Sequence, residues 1–147
     1  MRVKVTKKFS FDSAHKLELR DWSKEENEKI FHDCSRIHGH SYLGEVTVEG
    51  QPGTRGFVID FKHLKSFIQE FIKDKFDHRM INDVLPEKWH PTTVENILQY
   101  LWIDSGLGNA INKASEGDAW LSSIKMWETP DSFGEVSDDR WRNYNDS

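Results

Sequence analysis

The chain has 147 residues, of which 36% are hydrophobic and 31% charged, and this predicts one globular domain with a core of its own. The net charge is −5 and the cationic residues form no stripe, so a nucleic-acid partner is not expected. No apolar run approaches the ~20 residues of a membrane span, so no membrane partner is expected either. A single cysteine cannot form an internal disulfide, and a reducing, cytoplasmic location is therefore expected.

Three strands are predicted in the first 60 residues. Residues 2–11 alternate between apolar and polar side chains, with the apolar ones on odd positions, as in a half-buried strand. Residues 40–49 alternate in the same way on even positions, and we expect this strand to pair antiparallel with the first. Residues 12–37 between them are predicted to form a long irregular connection whose charged run SKEENEK is exposed. The segment FVID, residues 57–60, is predicted to be a short strand.

Two helices are predicted next. The apolar residues between Phe61 and Phe76 recur at the helical period, and Asp60 is a suitable N-cap. The second helix is predicted in TTVENILQYLW, where Thr92 and Glu95 have the spacing of a capping box. The segment DSGLGNA is expected to interrupt or end this helix.

A last strand is predicted for residues 119–128, where alternation places three apolar side chains on one face: Trp120, Ile124 and Met126. The residues at the end of the chain are polar and are expected to be loose. We therefore divide the chain into one domain, residues 1–136, and a polar tail, residues 137–147. This order of elements predicts an α+β domain built on an antiparallel sheet.

Three histidines are predicted to meet at one end of this sheet. His38 and His40 share a strand face, because residues i and i+2 point the same way, and it is the face of the apolar residues. His15 has the parity of the apolar residues in the first strand and lies just past the predicted end of that strand. Three histidines with an open fourth position are typical of a catalytic zinc site. Ordinary core or loop histidines are the alternative, and such sites also accept other metals.

Four other residues are candidates for proton transfer or binding. Cys34 lies in polar surroundings close to these histidines, where a dication would favour the reactive thiolate; a buried, inert cysteine is the alternative. Asp77 can orient the adjacent His78 and raise its basicity, although this pair is also common in loops. Glu128 shares the parity of the apolar residues in its strand, so it is either an exposed end-of-strand carboxylate or a buried one that needs N–H donors, such as those of a nitrogen-rich ring.

Six segments of the chain follow one another in the order of a known enzyme family. They are FSFDSAH, CSRIHGHSY, GFVIDFKHLK, FDHRMIND, PTTVEN and ETPDS, and they extend from about Phe9 to Ser132. Together they resemble the 6-pyruvoyl-tetrahydropterin synthase / 6-carboxy-tetrahydropterin synthase (QueD) family. Two departures are that Ile81 stands where the family has leucine, and that PTTVE is one residue longer than the family's Pro-Thr-x-Glu, so Thr92 and Thr93 compete for one role.

The resemblance implies a fold, a metal and a set of residue roles. The fold would be the tunnelling fold, in which subunits assemble into β-barrels, usually hexamers formed as dimers of trimers, with active sites at subunit interfaces. The ligands of Zn²⁺ would be His15, His38 and His40. The catalytic residues would be Cys34 as general base, with Asp77 and His78 as a second acid–base unit. The substrate contacts would be Glu128, which anchors the pterin ring, and Thr93.

The resemblance also implies a reaction. Three residues separate Cys34 from His38, as in the carboxy-tetrahydropterin branch, whereas the animal pyruvoyl branch has a longer spacer. The expected enzyme is a zinc-dependent carbon–carbon lyase of queuosine or 7-deazapurine biosynthesis, which converts 7,8-dihydroneopterin triphosphate to 6-carboxy-5,6,7,8-tetrahydropterin, acetaldehyde and triphosphate. A 6-pyruvoyl-tetrahydropterin synthase and a non-catalytic zinc- or pterin-binding module are the alternatives. The triphosphate would need cations, for which the candidates are Lys16, Arg20, Arg36 and Arg79.

Overall fold

A four-stranded antiparallel sheet carries the site. The computed structural model describes residues 1–115 and 118–138, and its strands pair in chain order. They are β1 (Val3–His15), β2 (His38–Gly50), β3 (Ala119–Thr129) and β4 (Ser132–Ser137). Every neighbouring pair is antiparallel, so the predicted α+β class with an antiparallel sheet is confirmed.

Helices supply the second layer of the fold. Those in the described residues are α1 (Lys24–Phe31), α2 (Phe61–Ile68), α3 (Asp74–Phe76), α4 (Ile81–Val84), α5 (Val94–Ile103) and α6 (Leu107–Ala114). Helix α2 begins after Asp60, whose carboxylate accepts a 2.9 Å hydrogen bond from the Lys62 N–H. A π-helical turn, Gln69–Lys73, joins α2 to α3, so the helix predicted between Phe61 and Phe76 is confirmed.

One hydrophobic core lies between the sheet and the helices. Alternate side chains of the strands point to the helices because a strand turns successive residues to opposite faces. The fully buried members from the sheet include Tyr42, Val46, Val48, Ile124 and Met126. Those from the helices include Leu64, Ile72, Phe76, Ile97, Leu101, Leu107 and Ile111. Burying each such side chain stabilises the fold by about 1.5–3 kcal/mol, so this layer fixes the face on which the histidines lie.

Helix α5 begins one residue later than the capping-box pattern predicted. Thr93 is the N-cap, and its hydroxyl accepts a 3.2 Å hydrogen bond from the Asn96 N–H. Thr92 is instead fully buried and contacts the His15 ring. The predicted capping box of Thr92 and Glu95 is therefore wrong. Two adjacent threonines could have capped the helix, and Thr92 contacts His15 instead, so Thr93 is the N-cap.

Three helices, α1, α4 and α6, occupy segments for which none was predicted. Helix α1 covers most of SKEENEK with Ser23 as its N-cap, and it is exposed except for Asn27 and the half-buried Phe31. The segment is thus on the surface, as predicted, but it is not irregular. Helix α5 ends near DSGLG, as predicted, and α6 begins after Gly106, whose φ of 90° suits glycine.

A bulge in β3 changes which side chains share a face. Thr47 pairs with Ser123 and Val48 pairs with Leu121, so Ser122 is an extra residue between them. A bulge of this kind shifts the alternation by one position. Trp120 is therefore half-buried on the outer face, where the Arg2 guanidinium lies 4.3 Å from its ring centroid. The prediction that it shares a face with Ile124 and Met126 is wrong.

Two more segments differ from the prediction. FVID forms no strand, although its Val58 and Ile59 are buried in the core. Residues 132–137 form β4, which pairs with β3 and was not predicted. Residues 139–147 of the predicted tail lie outside the described residues, so the domain division at residue 136 stays a prediction. No helix in the part of the chain that the structure describes is long and apolar enough to cross a membrane.

Candidate metal centre and active site

His15, His38 and His40 lie together at the end of the first strand pair. The register sets His15 directly opposite His38, and Ser13 opposite His40. The centroids of the three imidazole rings are 4.6 to 5.3 Å apart. His15 is fully buried and the other two are half-buried. The structure thus brings together the three histidines that were predicted to converge; their role as metal ligands stays a prediction.

Two of these rings are held by backbone carbonyls. His15 Nδ1 donates a 2.8 Å hydrogen bond to the Thr92 carbonyl oxygen and lies 3.1 Å from the Thr92 hydroxyl. His38 Nδ1 donates a 2.7 Å hydrogen bond to the Arg36 carbonyl oxygen. A carbonyl oxygen only accepts, so Nδ1 carries the hydrogen in both rings and Nε2 keeps its lone pair when the ring is neutral. This is the arrangement that orients a metal-binding histidine.

Glu128 completes the cluster from β3. Its Oε1 lies 3.0 Å from His40 Nε2 and 3.4 Å from His15 Nε2. One ligand atom from each of the four residues, His38 included, lies within 4.8 Å of the other three. Both His15 Nε2 and His40 Nε2 are buried and have no hydrogen-bond partner among the described residues. Buried polar atoms are rarely left without a partner, so these nitrogens point to a bound group.

The electrostatics of the cluster suit a divalent cation. Burial lowers the pKa of His40, and the nearby His15 and His38 act in the same direction against the opposing effect of Glu128. The His15 ring lowers the pKa of the Glu128 carboxyl, although burial of that carboxyl acts the other way. His40 is therefore neutral and Glu128 charged near pH 7. Neutral imidazoles with a carboxylate are a donor set that zinc accepts, so the residues present fit the metal.

Tyr42 forms the floor of the cluster. It follows His40 on the same strand face, and the two ring centroids are 5.5 Å apart. Its side chain is fully buried, and its hydroxyl has no hydrogen-bond partner among the residues described. Burial raises the pKa of Tyr42, and the Glu128 charge adds to this effect. Tyr42 is therefore a neutral phenol at the base of the site.

Cys34 lies beside the cluster rather than in it. It belongs to a 3₁₀ turn, His32–Ser35, and its side chain is exposed, so the alternative of a buried, inert cysteine does not apply. The Cys34 carbonyl oxygen accepts a 2.7 Å hydrogen bond from the Leu17 N–H. This bond holds the turn against the segment that leaves His15, but the structure does not bring the thiol into the group of four candidate ligand residues.

Asp77 and His78 form a pair at the free edge of β1. Asp77 Oδ1 lies 3.0 Å from His78 Nδ1 and accepts a 3.0 Å hydrogen bond from the Asp12 N–H. The Asp12 N–H is the main reason why the pKa of Asp77 lies below its usual value. His78 has a φ of 57° and a side chain that is 78% exposed. A surface groove of about 570 Å³ is lined by His78 together with Asp12 and Ser41, whose strand positions alternate with those of the histidine cluster. His40 also lines this groove, but His15, His38 and Glu128 do not, so the groove is next to the cluster rather than in it.

The four candidate cations for a triphosphate have different surroundings. Lys16 lies 3.4 Å from Glu18, and Arg20 lies 3.2 Å from Glu87, so both are in surface ion pairs. Arg79 lines the groove that also contains His40 and His78. Lys16 and Arg36 line a second groove of about 540 Å³, together with Trp22, Lys24 and Glu28. The geometry thus places Arg79 in the same groove as His78.

Two polar residues that support the site were missed from the sequence. Thr92 was assigned to a helix cap, but its carbonyl and hydroxyl both contact His15. Asn82 is buried, accepts a 3.0 Å hydrogen bond from the Lys16 N–H and donates a 2.9 Å bond to the Lys16 carbonyl. No local signal in the sequence marks either residue, because their partners His15 and Lys16 lie 77 and 66 positions away. Thr93, the predicted substrate contact, uses its hydroxyl to cap α5.

Several known proteins are similar in sequence to this chain over most of its length. The family model of 6-pyruvoyl tetrahydropterin synthase matches residues 4–139. The 6-pyruvoyl tetrahydrobiopterin synthase of Dictyostelium discoideum is 35% identical over 68% of this chain and 76% of its own. The dihydroneopterin monophosphate aldolase of Pyrococcus furiosus is 33% identical over 87% of this chain and 91% of its own length. The 6-carboxy-5,6,7,8-tetrahydropterin synthase of Haemophilus influenzae is 29% identical over 92% of this chain and 99% of its own length.

The fold has a close counterpart among solved structures. The 6-pyruvoyl tetrahydropterin synthase of Caenorhabditis elegans superposes with a TM-score of 0.77 and 24% identity, over 94% of this chain and 96% of the other. This likeness confirms the tunnelling fold of the single chain. Since the family model covers nearly the whole sequence, the chain belongs to the 6-pyruvoyl tetrahydropterin synthase family.

Proposed function

We propose that this protein is a zinc-dependent 6-carboxy-5,6,7,8-tetrahydropterin synthase. It would convert 7,8-dihydroneopterin triphosphate and water into 6-carboxy-5,6,7,8-tetrahydropterin, acetaldehyde and triphosphate. The observation that carries the proposal is that His15, His38, His40 and Glu128 bring one possible ligand atom each within 4.8 Å of one another, in a chain that belongs to a pterin synthase family. The spacer of three residues between Cys34 and His38 supports this branch, as does the Haemophilus influenzae relative, which aligns over nearly its whole length.

Each residue would have a defined task. His15, His38 and His40 would hold zinc, which would supply a Lewis acid for the hydroxyl groups of the substrate side chain. The exposed thiol of Cys34 would take a proton as general base. His78 would carry protons during tautomerisation and carbon–carbon cleavage, and the Asp77 carboxylate would keep its Nδ1–H in place, so that Nε2 faces the substrate.

The proposed substrate contacts are Glu128, Thr93 and Arg79. The Glu128 carboxylate would accept hydrogen bonds from the N–H edge of the pterin ring, and its half-buried position makes that contact more valuable than one in water. The Thr93 hydroxyl, whose oxygen already caps α5, would donate its hydrogen to the ring. Arg79 would bind the triphosphate, because it lines the groove that His40 and His78 share.

Assembly would complete this site. The side chains of Cys34 and His78 are exposed in the single chain. We propose that the protein forms a homo-oligomer, a hexamer built as a dimer of trimers, in which neighbouring copies cover these residues. A cytoplasmic location fits the one free thiol, which a reducing compartment keeps active.

The test is an anaerobic product assay by mass spectrometry. Zinc-loaded protein is incubated with 7,8-dihydroneopterin triphosphate, and we expect the mass of 6-carboxytetrahydropterin together with acetaldehyde. A 6-pyruvoyl product would instead support the second candidate, which the Dictyostelium discoideum relative favours. Cys34→Ala should lose most turnover and keep its zinc. Unchanged substrate with zinc in place would contradict both enzymes and support a binding module.

A further inference from the structure

Glu128 lies at an irregular point of the sheet. The pairing of β3 with β4 shifts between Trp127 and Thr129, so Glu128 is the residue that the shift leaves out of the ladder. The ladder with β2 ends one residue earlier, at the pair of Leu43 and Trp127. Bulges of this kind re-aim a side chain, and they are frequent next to active sites. The backbone here therefore turns a carboxylate into the histidine cluster.

The distances match a coordination polyhedron. In a tetrahedral zinc site with ligand bonds of ~2.0–2.1 Å, neighbouring ligand atoms lie about 3.3 Å apart. Glu128 Oε1 is 3.0 Å from His40 Nε2 and 3.4 Å from His15 Nε2. All four candidate ligand atoms lie within 4.8 Å of one another. The carboxylate is thus where a fourth ligand would be.

A plain ion pair accounts less well for this arrangement. His15 Nδ1 and His38 Nδ1 each donate to a backbone carbonyl, so the Nε2 atoms of these two rings carry lone pairs when the rings are neutral. Although Glu128 Oε1 is close to His15 Nε2 and His40 Nε2, neither nitrogen makes a hydrogen bond with acceptable geometry to any described residue. Nitrogen lone pairs and a carboxylate this close together repel each other, unless a cation lies between them.

We propose that Glu128 is the fourth ligand of the metal in the substrate-free protein, and that a bound pterin displaces it. The first half rests on the cluster alone; the second half rests on the proposed function, because the displaced carboxylate is then free to accept the N–H groups of the pterin ring. A catalytic metal needs an open position, and a carboxylate that leaves when substrate arrives would provide one.

The test uses Co²⁺ in place of zinc, because its visible absorption reports the ligand set without any turnover. Glu128→Gln removes the charge, and Glu128→Asp keeps the charge but shortens the reach by one methylene. We expect both variants to change the Co²⁺ spectrum and to weaken zinc binding by ~10–100-fold in competition with a chromophoric chelator. Glu135→Gln is the matched control, since Glu135 is an exposed carboxylate in the same hairpin, and it should leave both readings unchanged.

A second measurement adds 7,8-dihydroneopterin, which lacks the triphosphate, to the Co²⁺ form of the wild type. We expect its spectrum to change, and the spectrum of Glu128→Gln to change less. Identical wild-type and Glu128→Gln spectra and affinities would overturn the ligand assignment, whatever the product assay shows. A Co²⁺ spectrum that changes in Glu128→Gln but does not change when the pterin is added would overturn the proposed displacement. The assignment of Glu128 as a ligand would then still hold. Circular dichroism of the metal-free variants checks that each one folds.

Discussion

The His15 ring is oriented by the backbone carbonyl of Thr92, which accepts a 2.8 Å hydrogen bond from its Nδ1. The Thr92 hydroxyl lies 3.1 Å from the same nitrogen and donates a 3.3 Å bond to the Lys16 carbonyl. Thr92, which precedes the N-cap of α5, thus contacts both His15 and Lys16. The segment that leads into α5 is therefore part of the candidate metal centre, although it supplies no candidate ligand.

Thr92→Val keeps the size of the side chain and its carbonyl contact but removes the hydroxyl. The Lys16 carbonyl then loses one of its two donors and keeps the 2.9 Å hydrogen bond from Asn82, so we expect the free energy of unfolding to fall by about 0.5–1.5 kcal/mol in urea denaturation. Zinc affinity should fall by less than tenfold, because the carbonyl still holds the ring. Thr92→Ser restores the hydroxyl and should behave like the wild type. Unchanged stability in Thr92→Val would contradict the contact.

Metal removal should lower the thermal stability of the protein. A metal that binds the folded chain at a free concentration of 100 times its Kd stabilises it by about 2.7 kcal/mol. We expect a chelator to lower the Tm of the wild type, and His38→Ala to abolish that shift. His63→Ala changes an exposed histidine of α2 and should keep the full shift. If the chelator lowered the Tm of the wild type and His38→Ala equally, the cluster would not be the site of binding.

Much of the cluster could be predicted because strand alternation is local. His15, His38 and His40 keep the parity of their strands, and the register between β1 and β2 has no shift, so a pattern of period two carries through. The same pattern failed at Trp120, since the bulge at Ser122 adds one residue that nothing in the local alternation marks.

The rest depends on contacts between distant parts of the chain. Thr92 and Thr93 are equivalent in the sequence, and burial against His15 decides which of them caps α5. Helix α1 has no apolar face, because Asn27 is its one buried residue, so the periodicity that marks other helices is missing. Asn82 has no local signal of its role, because its partner Lys16 lies 66 positions away.

Asn82 should be one of the most sensitive polar positions. Its side chain bonds both the N–H and the carbonyl of Lys16, and it is buried. Asn82→Ala would leave the Lys16 N–H without its partner and the Lys16 carbonyl with only the 3.3 Å bond from Thr92, so we expect a loss of about 1–3 kcal/mol in the free energy of unfolding. Asn109→Ala alters an exposed asparagine of α6 and should stay within about 0.5 kcal/mol of the wild type. Equal effects at the two positions would contradict the role given to Asn82.

The Asp77 carboxylate should make stability depend on pH in the acid range. The hydrogen bond from the Asp12 N–H, with smaller help from His78, lowers the pKa of Asp77. A lowered pKa favours the charged form in the fold, so the stabilisation is present above the pKa of the unfolded chain, about 3.9, and is lost as the pH falls through the lower folded value. Asp77→Asn should therefore lower the Tm at pH 7, and the difference from the wild type should shrink below about pH 4. The control is Asp131→Asn, which removes an exposed carboxylate in another part of the chain. A Tm difference for Asp77→Asn that did not change with pH would contradict this account.

Gly44 should resist substitution because the Phe9 ring lies across it. The two residues are paired between β1 and β2, and a Cβ added at Gly44 would lie 2.1 Å from Phe9 Cζ. Phe9 is buried in the core, so its ring can move only by disturbing its neighbours. We expect Gly44→Ala to lower the free energy of unfolding by about 1–3 kcal/mol.

The control for Gly44→Ala is Gly108→Ala in helix α6. A Cβ added at Gly108 would have Leu121 Cδ2, 3.8 Å away, as its nearest neighbour, which is an ordinary van der Waals contact. Alanine is the better helix former, so this change should raise stability by roughly 0.5–1 kcal/mol. The double variant Gly44→Ala with Phe9→Leu should be less destabilised than the sum of the two single variants, because leucine no longer reaches across the strand. Strict additivity of the two changes would show that the cost at Gly44 does not come from the Phe9 ring.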